Sequence, residues 1–269
     1  MPELPEVQTV LDTLALRIKD KKITNIKILY KPIVIEKESV FKKKLINQSF
    51  RAFKRRGKYL LFEMDDITLV SHLRMEGKYF ILDSSYPLSK HDHVIFYLDD
   101  GSELRYNDVR KFGRMELIEK GDYKQFKDLG PEPFVDEFNL DYCKQYLKKS
   151  KLPIKEVLLS QKFVAGIGNI YADEILFSIK VLPTRLASSL TDEEIKNLIK
   201  YTRLILKNAI KAGGTTIRSY TSSLGVTGRF QLKLKVHTKN TCPTCKKEIK
   251  KIRVGGRGTY YCPNCQKWK

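Results

Sequence analysis

The sequence predicts an α+β protein: an N-terminal β-sandwich with a flanking helix, a helical region, and a small cysteine-bearing hairpin at the end. Three observations carry this expectation. Apolar residues fall at helical spacing over residues 5–18, short β-rich runs separated by turn signals fill about 23–118, and helical spacing returns from about 140 to 213. At 269 residues and 42% hydrophobic, the chain can bury more than one core.

Taken in order, Val7, Val10, Leu11, Leu14 and Ile18 line one face of a first helix. The runs ITNIKILY (23–30), YLLFE (59–63), ITLVSHL (67–73), HVIFYL (93–98) and ELRYND (103–108) follow, broken by RRG, DD and DDG. Strands at this spacing suggest a sandwich or barrel. LGPEPF (129–134) is Gly/Pro punctuation suited to a linker, and the chain divides into domains 1–130, 131–232 and 233–269. Helices are expected at Leu140–Lys149, Ile154–Leu159 and Ile170–Ile179. A longer one is capped by Ser189 or Thr191, carries acids in its first turn, and ends at Gly213-Gly214.

Charge narrows the partner. With 51 Lys+Arg against 31 Asp+Glu, the formal surplus is +20. Basic side chains that neutralise phosphates gain by releasing condensed counterions, so a polyanion is expected. Residues 233–269 hold eleven Lys/Arg against one acid, Glu248, which is half the surplus in the last seventh of the chain. That clustering favours a nucleic-acid contact face over general solubility. No apolar run approaches the ~18 residues of a membrane span, and MPELPEVQTV lacks the pattern of a signal peptide. A soluble cytoplasmic protein with no membrane partner is expected.

Four of the five cysteines fall as Cys242-x2-Cys245 and Cys262-x2-Cys265, sixteen residues apart. Two such knuckles on a hairpin present four thiolates to one tetrahedral Zn2+. Two disulfides are the alternative, which a reducing cytoplasm disfavours. All four positions are filled by protein, so the zinc folds the hairpin and leaves no open site for chemistry. Cys143 stands alone on a helical stretch and reads as a small core residue. Between the knuckles, VGGRGTYY (254–261) sets Arg257 between glycines, an exposed position suited to a phosphate contact.

The segments PELPEV (2–7), RRGKYL (55–60), HLRMEG (72–77), KHDHV (90–94), DVRKFG (108–113), LGPEP, VAGIGNIYADE (164–174) and GGRGTYYCPNCQ together resemble bacterial formamidopyrimidine-DNA glycosylases, in order and from end to end. Endonuclease VIII-type relatives share the architecture but usually begin PEGPE, whereas Leu4 stands here. The resemblance implies a helix-two-turn-helix around VAGIGNIY and a zinc finger with one structural Zn2+. It also implies a monomer acting on double-stranded DNA that contains oxidised bases or abasic sites. Its activity would be excision of oxidised purines, 8-oxoguanine and formamidopyrimidines, followed by β,δ-elimination. A zinc-hairpin protein that binds DNA without reacting is the reading from another class.

The resemblance makes Pro2 the nucleophile, Glu3 the acid/base residue, Glu6 a supporting carboxylate, and Lys58 and Arg257 aids to the two eliminations. Elementary chemistry agrees. An amine must be unprotonated to attack a sugar C1′, and an α-amino group of pKa about 7.7–8 is far more often free at pH 7 than a lysine of pKa about 10.4. The nitrogen of Pro2 becomes an amine only when Met1 is removed. As a bare pattern, Pro2 is a helix-entry proline and the two acids complement a helix dipole. Met75, Arg110 and Phe112 match a trio that fills the space left by an extruded base. His72, His91, Lys151 and Asn169 match DNA-contacting positions, and Lys155 one near the damaged base. The segment 214–229, rich in Gly, Ser and Thr, matches a loop that closes over that base. Two departures stand out. Gln8 replaces a common Glu, and KVHT (235–238) puts His237 where a phosphate-contacting Tyr is common.

Overall fold

A computed structural model describes residues 1–215 and 229–267. Two compact units emerge, one of residues 1–126 with 212–229, the other of 127–211 with 230–269. The hairpin expected as a third domain shares a compact unit with the helices, and the chain re-enters the first unit after residue 211.

The first unit begins with α1 (Leu4–Ile18), whose buried stripe includes the five expected residues. Two four-stranded antiparallel sheets follow. One has the order β1 (Ile23–Ile28), β6 (Asp92–Leu98), β7 (Ser102–Asn107), β5 (Lys78–Asp83); the other runs β2 (Ala52–Arg56), β3 (Tyr59–Glu63), β4 (Ile67–His72), β8 (Arg114–Glu119). One core joins them: Ile26, Phe96 and Leu104 from the first sheet, Leu60, Phe62 and Leu69 from the second, with Val10 and Leu14 of α1. Every residue of β4 is buried, because both of its faces are covered. A short helix, α2 (Glu38–Leu45), interrupts the β-rich stretch; it buries Phe41 and Leu45 and carries a Glu38–Lys42 ion pair at 2.7 Å.

The second unit contains α3 (Leu140–Lys148), α4 (Ile154–Leu159), α5 (Asn169–Ser178) and α6 (Asp192–Lys211), then the ribbon β9 (Lys250–Val254) and β10 (Arg257–Tyr261). Of the two candidate caps for α6, Thr191 serves: its N–H donates to Glu194 Oε2 at 2.8 Å and its Oγ1 accepts from the Glu194 N–H at 3.3 Å. Phe177 of α5 packs with Val236, Cys242, Ile249 and Cys262. That shared core explains why the hairpin is not a separate body. No described helix is long and apolar enough to cross a membrane.

Candidate active site and nucleic-acid interface

Glu3 caps α1 and Glu6 occupies its third position. The pair forms a reciprocal capping box in which the Glu3 N–H donates to Glu6 Oε2 at 2.9 Å. Both acids are buried. The other oxygen of Glu6 accepts from the N–H and hydroxyl of Thr215, at 2.8 and 3.0 Å. Gly214, at φ +75°, lies so close that a Cβ there would stand 2.9 Å from Glu6 Oε1. Glu6 thus ties the chain start to the first residues of the 214–229 segment. Residues 216–228 of that expected loop lie outside the described residues.

Lys58 sits in the two-residue turn between β2 and β3, where Gly57 takes φ +55°. It is 6% exposed. Pro2 is buried as well, while Met1 is half exposed. Burial holds the first amino group below its ordinary pKa, against the charges of Glu3 and Glu6, which raise it; Lys58 lowers it further and Glu76 raises it. Glu3, Glu6, Lys58 and Glu76 thus all contribute to the electrostatic surroundings of this amine. Sequence reasoning missed Glu76, although it lies inside HLRMEG beside Met75.

The loops bearing the expected wedge are built on two residues the sequence reading did not single out. Asp108, fully buried, accepts from the N–H groups of Arg110, Phe112 and Gly113 at 2.8–2.9 Å. This folds residues 108–113 into a turn that presents the Phe112 ring, 48% exposed, with the Arg110 guanidinium 4.8 Å from its centroid. The Tyr106 hydroxyl stands where a Cβ on Gly77 or Gly113 would go, 2.3 and 1.6 Å away. One phenol therefore packs under both wedge loops, 72–77 and 108–113. Met75 is half-buried and Arg110 exposed.

His72 is buried, and its Nδ1 accepts from the Arg74 N–H at 2.9 Å, so the proton lies on Nε2. Burial, reinforced by the charges of Arg74 and Lys58, lowers its pKa to about 3. It can offer DNA a neutral N–H and no positive charge. His91 is half-buried and Lys151 exposed.

In the second unit, Gly166 adopts φ +92° and Gly168 precedes the first turn of α5. Asn169, the first residue of α5, donates from Nδ2 to the carbonyl of Gly258 in β10 at 2.9 Å. Gly255 and Gly256 both take positive φ, 54° and 74°, as a tight I′ hairpin turn demands, and Arg257 follows them exposed. One expectation, for Lys155, needs correction. Lys155 is fully buried, with Nζ bonded to Asp173 Oδ1 at 2.5 Å and to Thr259 Oγ1 at 2.8 Å, so its charge is spent inside the protein and no base can reach it. His237 is also buried, its Nδ1 2.7 Å from Asp173 Oδ2, and it makes no surface phosphate site.

The four cysteines converge, with all Sγ atoms within 4.8 Å of one another. Cys242–Cys265 and Cys245–Cys262 are separated by 3.8 and 3.4 Å, far beyond a disulfide bond of about 2 Å. Tetrahedral Zn–S bonds of about 2.3 Å imply sulfur separations of about 3.8 Å, so the thiols fit the ion. The Lys247 N–H foremost, with the neighbouring thiols, lowers Cys245 to about 6 and prepares it as a thiolate ligand. Gln266 braces the second knuckle by accepting from Cys262 N–H and donating to Val181 O.

Family models match along the chain: the formamidopyrimidine-DNA glycosylase N-terminal domain over residues 1–115, its H2TH domain over 129–221, and a zinc finger found in FPG and IleRS over 239–267. A formamidopyrimidine-DNA glycosylase of Listeria monocytogenes is 46% identical, covering 99% of this chain and 100% of its own length. One of Ligilactobacillus salivarius is 48% identical, over 99% of each. A Lactococcus lactis enzyme of the same name, solved in complex with DNA containing an abasic site, superposes with a TM-score of 0.93 at 44% identity, over 98% of this chain and 99% of that one. The same holds for the wild-type Lactococcus lactis enzyme with a DNA carrying N7-benzyl-Fapy-dG. With its N-terminal, helical and zinc-finger segments all matched in order, this chain belongs to the formamidopyrimidine-DNA glycosylase family.

Proposed function

We propose that this chain excises oxidised purines, 8-oxoguanine and formamidopyrimidines, from duplex DNA in the bacterial cytoplasm and then cleaves the strand, with the amine of Pro2 as nucleophile. One observation supports this best: the chain's first amino group is buried among Glu3, Glu6, Lys58 and Glu76, in surroundings that favour a neutral amine. Removal of Met1 would hand that setting to Pro2.

In the reaction, the Pro2 nitrogen bonds to C1′ as the glycosidic bond breaks and the base departs with a proton supplied by Glu3. The nitrogen loses its proton and its electron pair opens the sugar at the C1′–O4′ bond, the ring oxygen leaving as a hydroxyl, and the resulting iminium withdraws electrons from the sugar. Loss of a C2′ proton expels the 3′ phosphate with help from Lys58, and a second elimination, assisted by Arg257, expels the 5′ phosphate. Water then releases the sugar remnant and restores the amine. Glu6 holds Glu3 and Thr215 in place. Met75 and Phe112 unstack the helix while Arg110 pairs with the orphaned base. His72, His91, Lys151 and Asn169 contact the backbone, His72 as a neutral donor. Lys155 has no place in that list. Cys242, Cys245, Cys262 and Cys265 would hold zinc, which fixes the hairpin.

Borohydride trapping on a duplex with 8-oxoguanine opposite cytosine tests the reading. The wild-type chain should become covalently joined to DNA, and Pro2→Gly should bind normally but turn over about tenfold or more slowly. Undiminished turnover would remove Pro2 from the mechanism. Greater excision of oxidised pyrimidines than of purines would move the chain toward endonuclease VIII-type substrates.

A further inference from the structure

We infer that His237 is a positioning residue for Arg257, acting through a buried chain of hydrogen bonds that fixes β10 against α4 and α5; the inference rests on the role proposed for Arg257 above.

The chain can be followed atom by atom. The His237 Nδ1 lies 2.7 Å from Asp173 Oδ2, and Asp173 Oδ1 accepts from Lys155 Nζ at 2.5 Å. Lys155 Nζ donates onward to Thr259 Oγ1 at 2.8 Å, and that hydroxyl donates to the carbonyl of Arg257 at 3.0 Å. Asp173 Oδ2 also accepts from the Tyr260 N–H at 3.2 Å. Neither oxygen of Asp173 can donate while it is ionised, so every donor must come from its neighbours, and the His237 proton belongs on Nδ1. Asp173, Lys155 and Thr259 are almost wholly excluded from solvent.

Three successive residues of β10 are thereby fixed from the helices. Asn169 holds the Gly258 carbonyl, Lys155 holds the Thr259 hydroxyl, and Asp173 holds the Tyr260 N–H. The hairpin turn is fixed too, since a Cβ on Gly255 would fall 2.6 Å from the Glu156 side chain of α4. Arg257 sits between these anchors with its side chain in solvent. A long, flexible side chain reaches a phosphate well only from a fixed origin, and the network supplies one. His237 is the outermost donor of the set. Its own N–H donates to Glu174 Oε1 at 2.9 Å, and its ring meets the Tyr260 ring edge-on at 5.1 Å. Around it, the charged groups are Asp173, Glu174 and Lys155, with Lys251 over the far ring of Tyr260.

Single-turnover cleavage of an abasic duplex by the zinc-loaded chain tests this, with the two eliminations resolved by their products. His237→Phe keeps a ring against Tyr260 and deletes the donor. The second elimination should slow about tenfold, the value of one charge-assisted hydrogen bond, while the first slows far less. His237→Asn, whose Nδ2 can stand near the lost Nδ1, should recover most of the loss, and both variants should hold one zinc. An unchanged ratio of the two steps in His237→Phe, a loss of zinc, or no recovery with Asn would each overturn the inference. Arg257→Ala run alongside separates the layers. If it slows the second step and His237→Phe does not, only the inference falls; if it leaves that step intact, the role of Arg257 falls and the inference with it. Nitrogen-15 spectra of the wild-type imidazole add a check free of folding effects. A His237 protonated on Nε2 alone cannot donate to Asp173 and would overturn the inference.

Discussion

A few buried acids determine how the exposed residues of this protein are presented. Asp108 spends its carboxylate on three backbone N–H groups so that Phe112 can stand in solvent. Glu6 does the same for the chain start and Thr215. His72 gives a sharp test at this scale. Its pKa is about 3 in the folded protein against 6.5 when unfolded, because burial disfavours the charged ring. Below pH 6.5 the unfolded chain therefore binds a proton that the native state refuses, and stability is lost as pH falls toward 3. Between pH 7 and pH 5 this costs about 2 kcal/mol. Urea unfolding of wild type and His72→Phe at the two pH values should show their stability difference shift by that amount in favour of Phe. Equal pH slopes would mean that the folded imidazole titrates normally.

At the scale of elements, what the sequence revealed and what it hid have physical reasons. α3, α4 and α5 lie within a residue of expectation, because each carries its apolar face and its punctuation in the sequence. The strands β2, β5 and β8 were not anticipated, and all three are sheet edges. Edge strands carry charges that blunt them, as in AFKRR and RMELIE, and this erases the alternation a reader looks for. α2 is two turns long with two buried residues, too short for a period to register. The C-x2-C spacing made the zinc ligands legible at once. Lys155 was not legible as a buried group, since its partner Asp173 is eighteen residues away and its second partner Thr259 lies on the hairpin. Because the hairpin shares its core with α5, Cys245→Ser should release the metal and weaken binding to every duplex. Zinc assay with duplex titration checks this, and full binding by a metal-free chain would contradict it. Arg257→Ala should reduce the slope of log affinity against log salt by about 0.9, one phosphate contact. An unchanged slope would place Arg257 away from the backbone.

For the whole molecule, the surplus of +20 is distributed over two compact units, one carrying the amine and its acids, the other the zinc hairpin and the helices. Charge alone pointed to a nucleic acid, while the motifs and the buried N-terminal cluster point to chemistry on it. The claim on which the rest depends is that the reacting atom is the nitrogen of Pro2. Peptide mass mapping of the borohydride-trapped complex, made with fully active protein, addresses it most directly. The account predicts a chain lacking Met1 with the sugar remnant on the peptide that begins at Pro2. A remnant on Lys58 or any other side chain, or active protein that retains Met1, would contradict it.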